Sequence, residues 1–104
     1  MGEDKFEIPI EWEGRKETVI IKKLNFGETN DLRHEATDIK IVGNTYQAKV
    51  HTGRFMELAI LKSIVQAPFK NSIEDIRNLP RELGEMLYGE IEKFNNLSEE
   101  KKAN

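Results

Sequence analysis

Between residues 55 and 66 the chain reads FMELAILKSIVQ, and eight of those twelve side chains are apolar: Phe55, Met56, Leu58, Ala59, Ile60, Leu61, Ile64 and Val65. A helix built from such a segment is apolar around most of its circumference, so it needs cover on several sides. Its end is set by Pro68, because the residue before a proline is pushed out of the α region. The pattern predicts a central helix over 53–66 that stops at Ala67. In a chain of 104 residues, this element dictates that the remaining segments wrap it.

The stretch that follows, APFKNSIEDIRNLP, reads as punctuation. Ser72 and Asp75 stand at the spacing of a capping box, with Asp a shorter partner than the usual Glu or Gln. They predict a short helix carrying Ile73, Ile76 and Leu79. Pro80 suits a first helical position and opens a last helix over 81–95. Leu83, Leu87, Ile91 and Phe94 recur there at spacings of four, four and three, which defines one apolar face.

Upstream, the period changes to two. KFEIPIEW at 5–12 puts Phe6, Ile8, Ile10 and Trp12 on one face and Lys5, Glu7, Pro9 and Glu11 on the other. That is a half-buried strand, and Pro9, which has no N–H for a ladder, assigns it to a sheet edge. After EGRK, the segment ETVIIKKL predicts a partner strand with Val19 and Ile21 alternating against Ile20 and Lys22. NFGETNDLRHEATD predicts a surface helix, capped by Asn25 or Thr29, with a thin stripe of Phe26, Leu32 and Ala36. IKIVGNTYQAKV places two β-rich runs around Gly43-Asn44, the signature of a second hairpin. The fold expected is α+β: a small single domain over residues 1–97, its N-terminal hairpins packed on three to four helices. Both long helices are expected to lie under hairpin strands, and SEEKKAN at 98–104 is expected to be a disordered tail.

Charge narrows the function. Residues 1–50 carry 8 basic and 10 acidic side chains, and residues 51–104 carry 8 and 9, within a formal net charge of −3. A dedicated nucleic-acid binder concentrates basic charge, because phosphate neutralisation dominates its affinity. No segment here does so. The absence of cysteine excludes disulfides and thiolate metal sites and suits an intracellular protein. The first ten residues, MGEDKFEIPI, lack a basic segment and a long apolar run, so no secretory leader is expected. No apolar stretch reaches the ~18–20 residues of a membrane span.

Candidate chemical sites are sparse. His34 and His51 stand apart, without the three or four ligands at fixed spacing that a zinc site needs, and read as solvated or capping residues. Glu28, Asp31, Glu35 and Asp38 fall at helical spacing. They read as a solvated face, with recruitment of a divalent cation or a basic partner as the alternative. Gly27 and Gly43 fit neither phosphate-loop pattern. Lys22 and Lys23 with Trp12 and Tyr46 make a small nucleic-acid surface on one reading. On the other, the lysines protect a sheet edge and the aromatics pack on the core.

Three stretches carry a family resemblance: KKLNFGE at 22–28, the apolar helix ending IVQAPF at 64–69, and LPRELGEMLYGEIEKFNNLSEE at 79–100. Together, from about Val19 to Lys102, the chain resembles the tail assembly chaperones of long-tailed phages and related proviruses. The resemblance implies a non-enzymatic protein without cofactor or catalytic residues. Its implied partners are the tape measure protein and the tail tube protein, in the host cytoplasm and not in the mature virion. It also implies self-association, and in some relatives a longer product from ribosomal frameshifting, for which codons 100–102 are the place to look. Phe26, Leu32, Met86 and Tyr88 are the partner-binding candidates; the bland alternative is that Met56, Met86 and Tyr88 fill the core. Two other classes compete: a small nucleic-acid-binding regulator of a mobile element, and a structural tail component.

Overall fold

The computed structural model describes residues 4–95. Strands β1 (Lys5–Trp12) and β2 (Arg15–Lys22) form the first hairpin, paired in register from Lys5 opposite Lys22 to Trp12 opposite Arg15. Its two-residue turn holds both Glu13 (φ 53) and Gly14 (φ 80) on the positive side. That matches the turn whose twist suits a tight hairpin, although glutamate is a costly occupant there. As Pro9 requires, β1 is an edge strand: the sheet order is β1-β2-β5.

Helix α1 (Phe26–Glu35) begins with a complete capping box. The Glu28 N–H donates to Asn25 Oδ1 (2.8 Å), and the Asn25 N–H donates to Glu28 Oε1 (2.9 Å). Of the two candidate caps, Asn25 is therefore the one used. A second hairpin follows, β3 (Thr37–Val42) and β4 (Thr45–Val50). Gly43 takes positive φ (62) at its turn, and Asn44 does not.

The apolar run departs from expectation. Helix α2 covers Thr52–Ser63, and Ile64–Gln66 form strand β5. The chain leaves the helix at Ile64 (φ −72, ψ 126), four residues before Pro68. The physical reason lies in β2, whose far edge would otherwise be unpaired. Ile64 and Gln66 pair with Ile21 and Ile20 across an irregular register. The β-branched Ile64 and Val65 suit that extended backbone. Backbone pairing, rather than the proline, ends the central helix.

Helix α3 (Ile73–Arg77) is capped by Ser72, whose Oγ accepts the Asp75 N–H (3.2 Å). The shorter Asp75 side chain bonds the Ser72 hydroxyl (2.6 Å), where a glutamate of a full capping box reaches the backbone. Helix α4 (Arg81–Asn95) starts with the Pro80 carbonyl accepting the Gly84 N–H (2.9 Å). Pro80 thus sits one residue ahead of the first helical position. The expected tail at 98–104 lies outside the described residues.

The protein is a small single α+β domain: the first hairpin and four helices enclose one core. Ile8 and Ile10 of β1, Val19 and Ile21 of β2, Leu32, Ala59, Ile60, Ile64, Ile76, Leu87 and Ile91 are its buried members. Helix α4 packs on α2 and on β1. Phe6 stacks on Phe94 with ring centroids 5.5 Å apart, and Trp12 lies 5.2 Å from Phe69. These aromatic contacts close the two ends of the hairpin's apolar face. Among the described residues, Ser63 Oγ is buried without a hydrogen-bond partner.

The second hairpin does not cover the helices, contrary to expectation. Every residue of β4, and all of β3 beyond Thr37, is exposed. Neither strand packs substantially on any other element. Among the described residues, no helix is long and apolar enough to cross a membrane.

Candidate functional site

The four partner-binding candidates from the sequence do not converge on one surface. Phe26, the first residue of α1, is 83% exposed. Leu32, one helical face away, is fully buried in the core and so offers no contact surface. Met86 is exposed at the margin of α4, beside Pro9, Ile10 and Thr18 of the first hairpin. Tyr88 is half-buried, edge-on to Phe55 at 6.5 Å between centroids. Burial, and to a smaller degree the Glu92 carboxylate, raises its phenol above the ordinary 10.0. The start of α1 lies instead beside the C-terminal end of α4, where the Leu24 N–H donates to Asn95 Oδ1 (2.6 Å).

The acidic series is also dispersed. Glu28 belongs to the α1 cap and receives Lys22 Nζ at 2.9 Å; the Asn25 N–H and then Lys22 hold its carboxyl below the ordinary 4.5. Glu35 meets Lys62 at 3.3 Å. Asp38 is not on the helix at all: it is the second residue of β3, paired with the His51 ring and 3.8 Å from Arg54. His51 precedes α2, yet its side chain makes no capping bond because it turns to Asp38. Among the described residues, no three His, Asp or Glu side chains come together as a metal site. The lysine–aromatic grouping is not assembled either. Trp12 is packed on Phe69, Lys22 on Glu28, and Lys23 over the Phe94 ring at 5.5 Å.

What the fold does assemble is the second hairpin. Its register sets Thr37 opposite Val50, Ile39 opposite Ala48 and Ile41 opposite Tyr46. Directly opposed residues point to the same side, and the side alternates along each strand. One face therefore carries Thr37, Ile39, Ile41, Tyr46, Ala48 and Val50. The other carries Asp38, Lys40, Thr45, Gln47 and Lys49, with Val42 as its one large apolar member. The apolar face is open to solvent: Ile39 is 66% exposed, Ile41 65%, Tyr46 73% and Val50 50%. No charged side chain interrupts it.

The base of the ribbon is anchored. His51 N–H donates to the Ala36 carbonyl (2.7 Å), the Thr37 hydroxyl donates to the Arg33 carbonyl, and Arg54 reaches the Glu35 carbonyl (3.4 Å). With the Asp38–His51 pair, these bonds fix both strands where they leave α1 and enter α2. The arrangement presents an amphipathic β-ribbon on a fixed base, which suits binding to another apolar surface. Sequence reasoning found the hairpin but missed the site. Its signal was the alternation Ile39–Ile41 and Tyr46–Ala48–Val50, the same pattern that marks a core strand.

No protein-family model matches the chain, and neither a curated protein nor a solved structure matches it.

Proposed function

We propose that the chain is a non-enzymatic tail assembly chaperone of a long-tailed phage or provirus, acting in the host cytoplasm and absent from the finished virion. Its client is the tape measure protein, with the tail tube protein as the second partner it serves. The observation that carries this reading is the exposed apolar face of the β3–β4 ribbon. A continuous uncharged face of this kind marks a surface that meets another macromolecule. A long amphipathic partner helix supplies the complementary apolar stripe. The resemblance at 22–28 and 79–100 supplies the identity of the client.

Co-expression with the tape measure protein encoded beside it is the test. The chain should keep that protein soluble, and the Ile39→Lys/Tyr46→Lys variant should fail to do so while remaining folded. A tape measure protein that stays insoluble with the wild-type chain contradicts the assignment. A duplex-DNA gel shift that weakens steeply with salt favours the regulatory alternative instead.

A further inference from the structure

We propose that the outer edge of β4 is a strand-addition site, to which another protein contributes an extended segment antiparallel to Tyr46, Ala48 and Val50. The inference goes beyond the client reading. It concerns the backbone edge of the ribbon rather than its apolar face, and a partner segment that is extended rather than helical.

The hydrogen-bond phase of the ribbon locates the site. The His51 N–H donates to the Ala36 carbonyl (2.7 Å), which makes Ala36 and His51 a bonded pair. Bonded and non-bonded pairs alternate along an antiparallel ladder. With the observed register, Asp38–Lys49, Lys40–Gln47 and Val42–Thr45 are bonded, and Thr37–Val50, Ile39–Ala48 and Ile41–Tyr46 are not. The N–H and C=O groups of Tyr46, Ala48 and Val50 therefore point away from β3. Among the described residues, no turn, cap or loop bond uses them. The edge is also unguarded. The edge strand β1 carries Pro9, whereas residues 37–50 contain no proline and pair without a bulge.

Free backbone groups of this kind bond an incoming strand, and the side chains beside them select it. The β3 edge offers the same groups, but the side chains favour β4. Ala48 stands between the larger Tyr46 and Val50 on one face, which leaves a notch for a large apolar residue of an added strand. Ile39 and Ile41 leave no such gap on β3. Strand β4 also carries a single charge, Lys49, where β3 carries Asp38 and Lys40. The segment that fits lacks proline and sets a large aliphatic residue opposite Ala48. It has β-branched residues opposite Tyr46 and Val50 and a carboxylate opposite Lys49. Its addition turns a two-stranded ribbon, marginal in water, into a three-stranded sheet with a wider apolar face.

The acetylated and amidated peptide Thr-Val-Glu-Ile-Thr-Val-Thr is the probe, with its isoleucine opposite Ala48 and its glutamate opposite Lys49. With the peptide in excess over the full chain, amide exchange read by NMR should slow at least about tenfold at Tyr46, Ala48 and Val50. N-methylation of the isoleucine should abolish the effect, because it removes the donor to the Ala48 carbonyl and keeps the side chain. Ala48→Pro should abolish it as well: proline there removes only an outward N–H, so the pairing with β3 survives. Exchange that ignores the peptide overturns the proposal. So does an N-methylated peptide that acts equally, which means packing on the apolar face. Slow exchange at these amides in peptide-free protein that deepens with protein concentration gives the edge to a second copy and also overturns it. No outcome involves the tape measure protein, so the client assignment stands or falls separately.

Discussion

The two hairpins are built alike and used differently. Each is an antiparallel pair joined by a two-residue turn, and each has one apolar face. In β1–β2 that face meets α4 and the core, and Val19 and Ile21 are completely buried. In β3–β4 the equivalent positions, Ile39 and Ile41, stay about two-thirds exposed. Alternation makes a strand two-faced; it does not name the surface that covers the apolar side. For the first hairpin the cover is this chain. For the second, no described element of the chain supplies it.

Substitution should separate the hairpins most strongly. Ile21→Ala, like Leu87→Ala in the same core, leaves a cavity and should cost about 2–5 kcal/mol in urea unfolding. Ile41→Ala, measured at concentrations where the chain is monomeric, should stay within about 0.5 kcal/mol of wild type. Similar costs at Ile21 and Ile41 would erase the distinction.

A smaller effect of opposite sign is expected at the end of α2. The buried Ser63 hydroxyl has been taken from water without a replacement bond, so Ser63→Ala should raise stability by about 1 kcal/mol. A loss of that size would mean that the hydroxyl is satisfied by a bound water. The turns give the next test. Glu13 holds φ 53, a region asparagine tolerates better, and Glu13→Asn should add about 0.5 kcal/mol to global stability. Gly43→Ala strains a turn of the ribbon, which the core does not need, so the thermal midpoint should hardly move.

The smallest effect concerns pH. The Glu28 carboxyl is held below its ordinary 4.5 by the Asn25 N–H and by Lys22. Its contribution is therefore complete above pH 4.5 and is lost as the pH falls through the lowered value. Replacing it in Glu28→Gln should lower the midpoint slightly at neutral pH and flatten the acid limb of the midpoint–pH curve. An unchanged acid limb would show that the cap carries no linkage.

Much of this fold is legible in the sequence because the signals are local. Pro9 marks the edge strand, Asn25 and Ser72 start helices, and the Leu83–Leu87–Ile91–Phe94 series sets the buried face of α4. Illegible parts depend on distant partners. Strand β5 hides inside an apolar run because Ile64 and Val65 suit a buried helix as well as a strand, and only the free edge of β2 decides between them. Leu32 looks like part of a thin surface stripe until α1 settles on the core. Asp38 keeps helical spacing with Glu35 although the chain has already become a strand at Thr37. The candidate site was hidden for the same reason: Ile39, Ile41 and Tyr46 carry a core pattern, and the missing cover is not a local property.

Hydrogen exchange followed by mass spectrometry tests the central claim most directly, that the first hairpin is covered by its own chain and the second is covered by none of the described elements. In dilute protein, amides of β1 and β2 should exchange only through global unfolding, while those of residues 37–50 exchange far faster through local opening. Equal protection of the two hairpins in dilute protein would contradict the account.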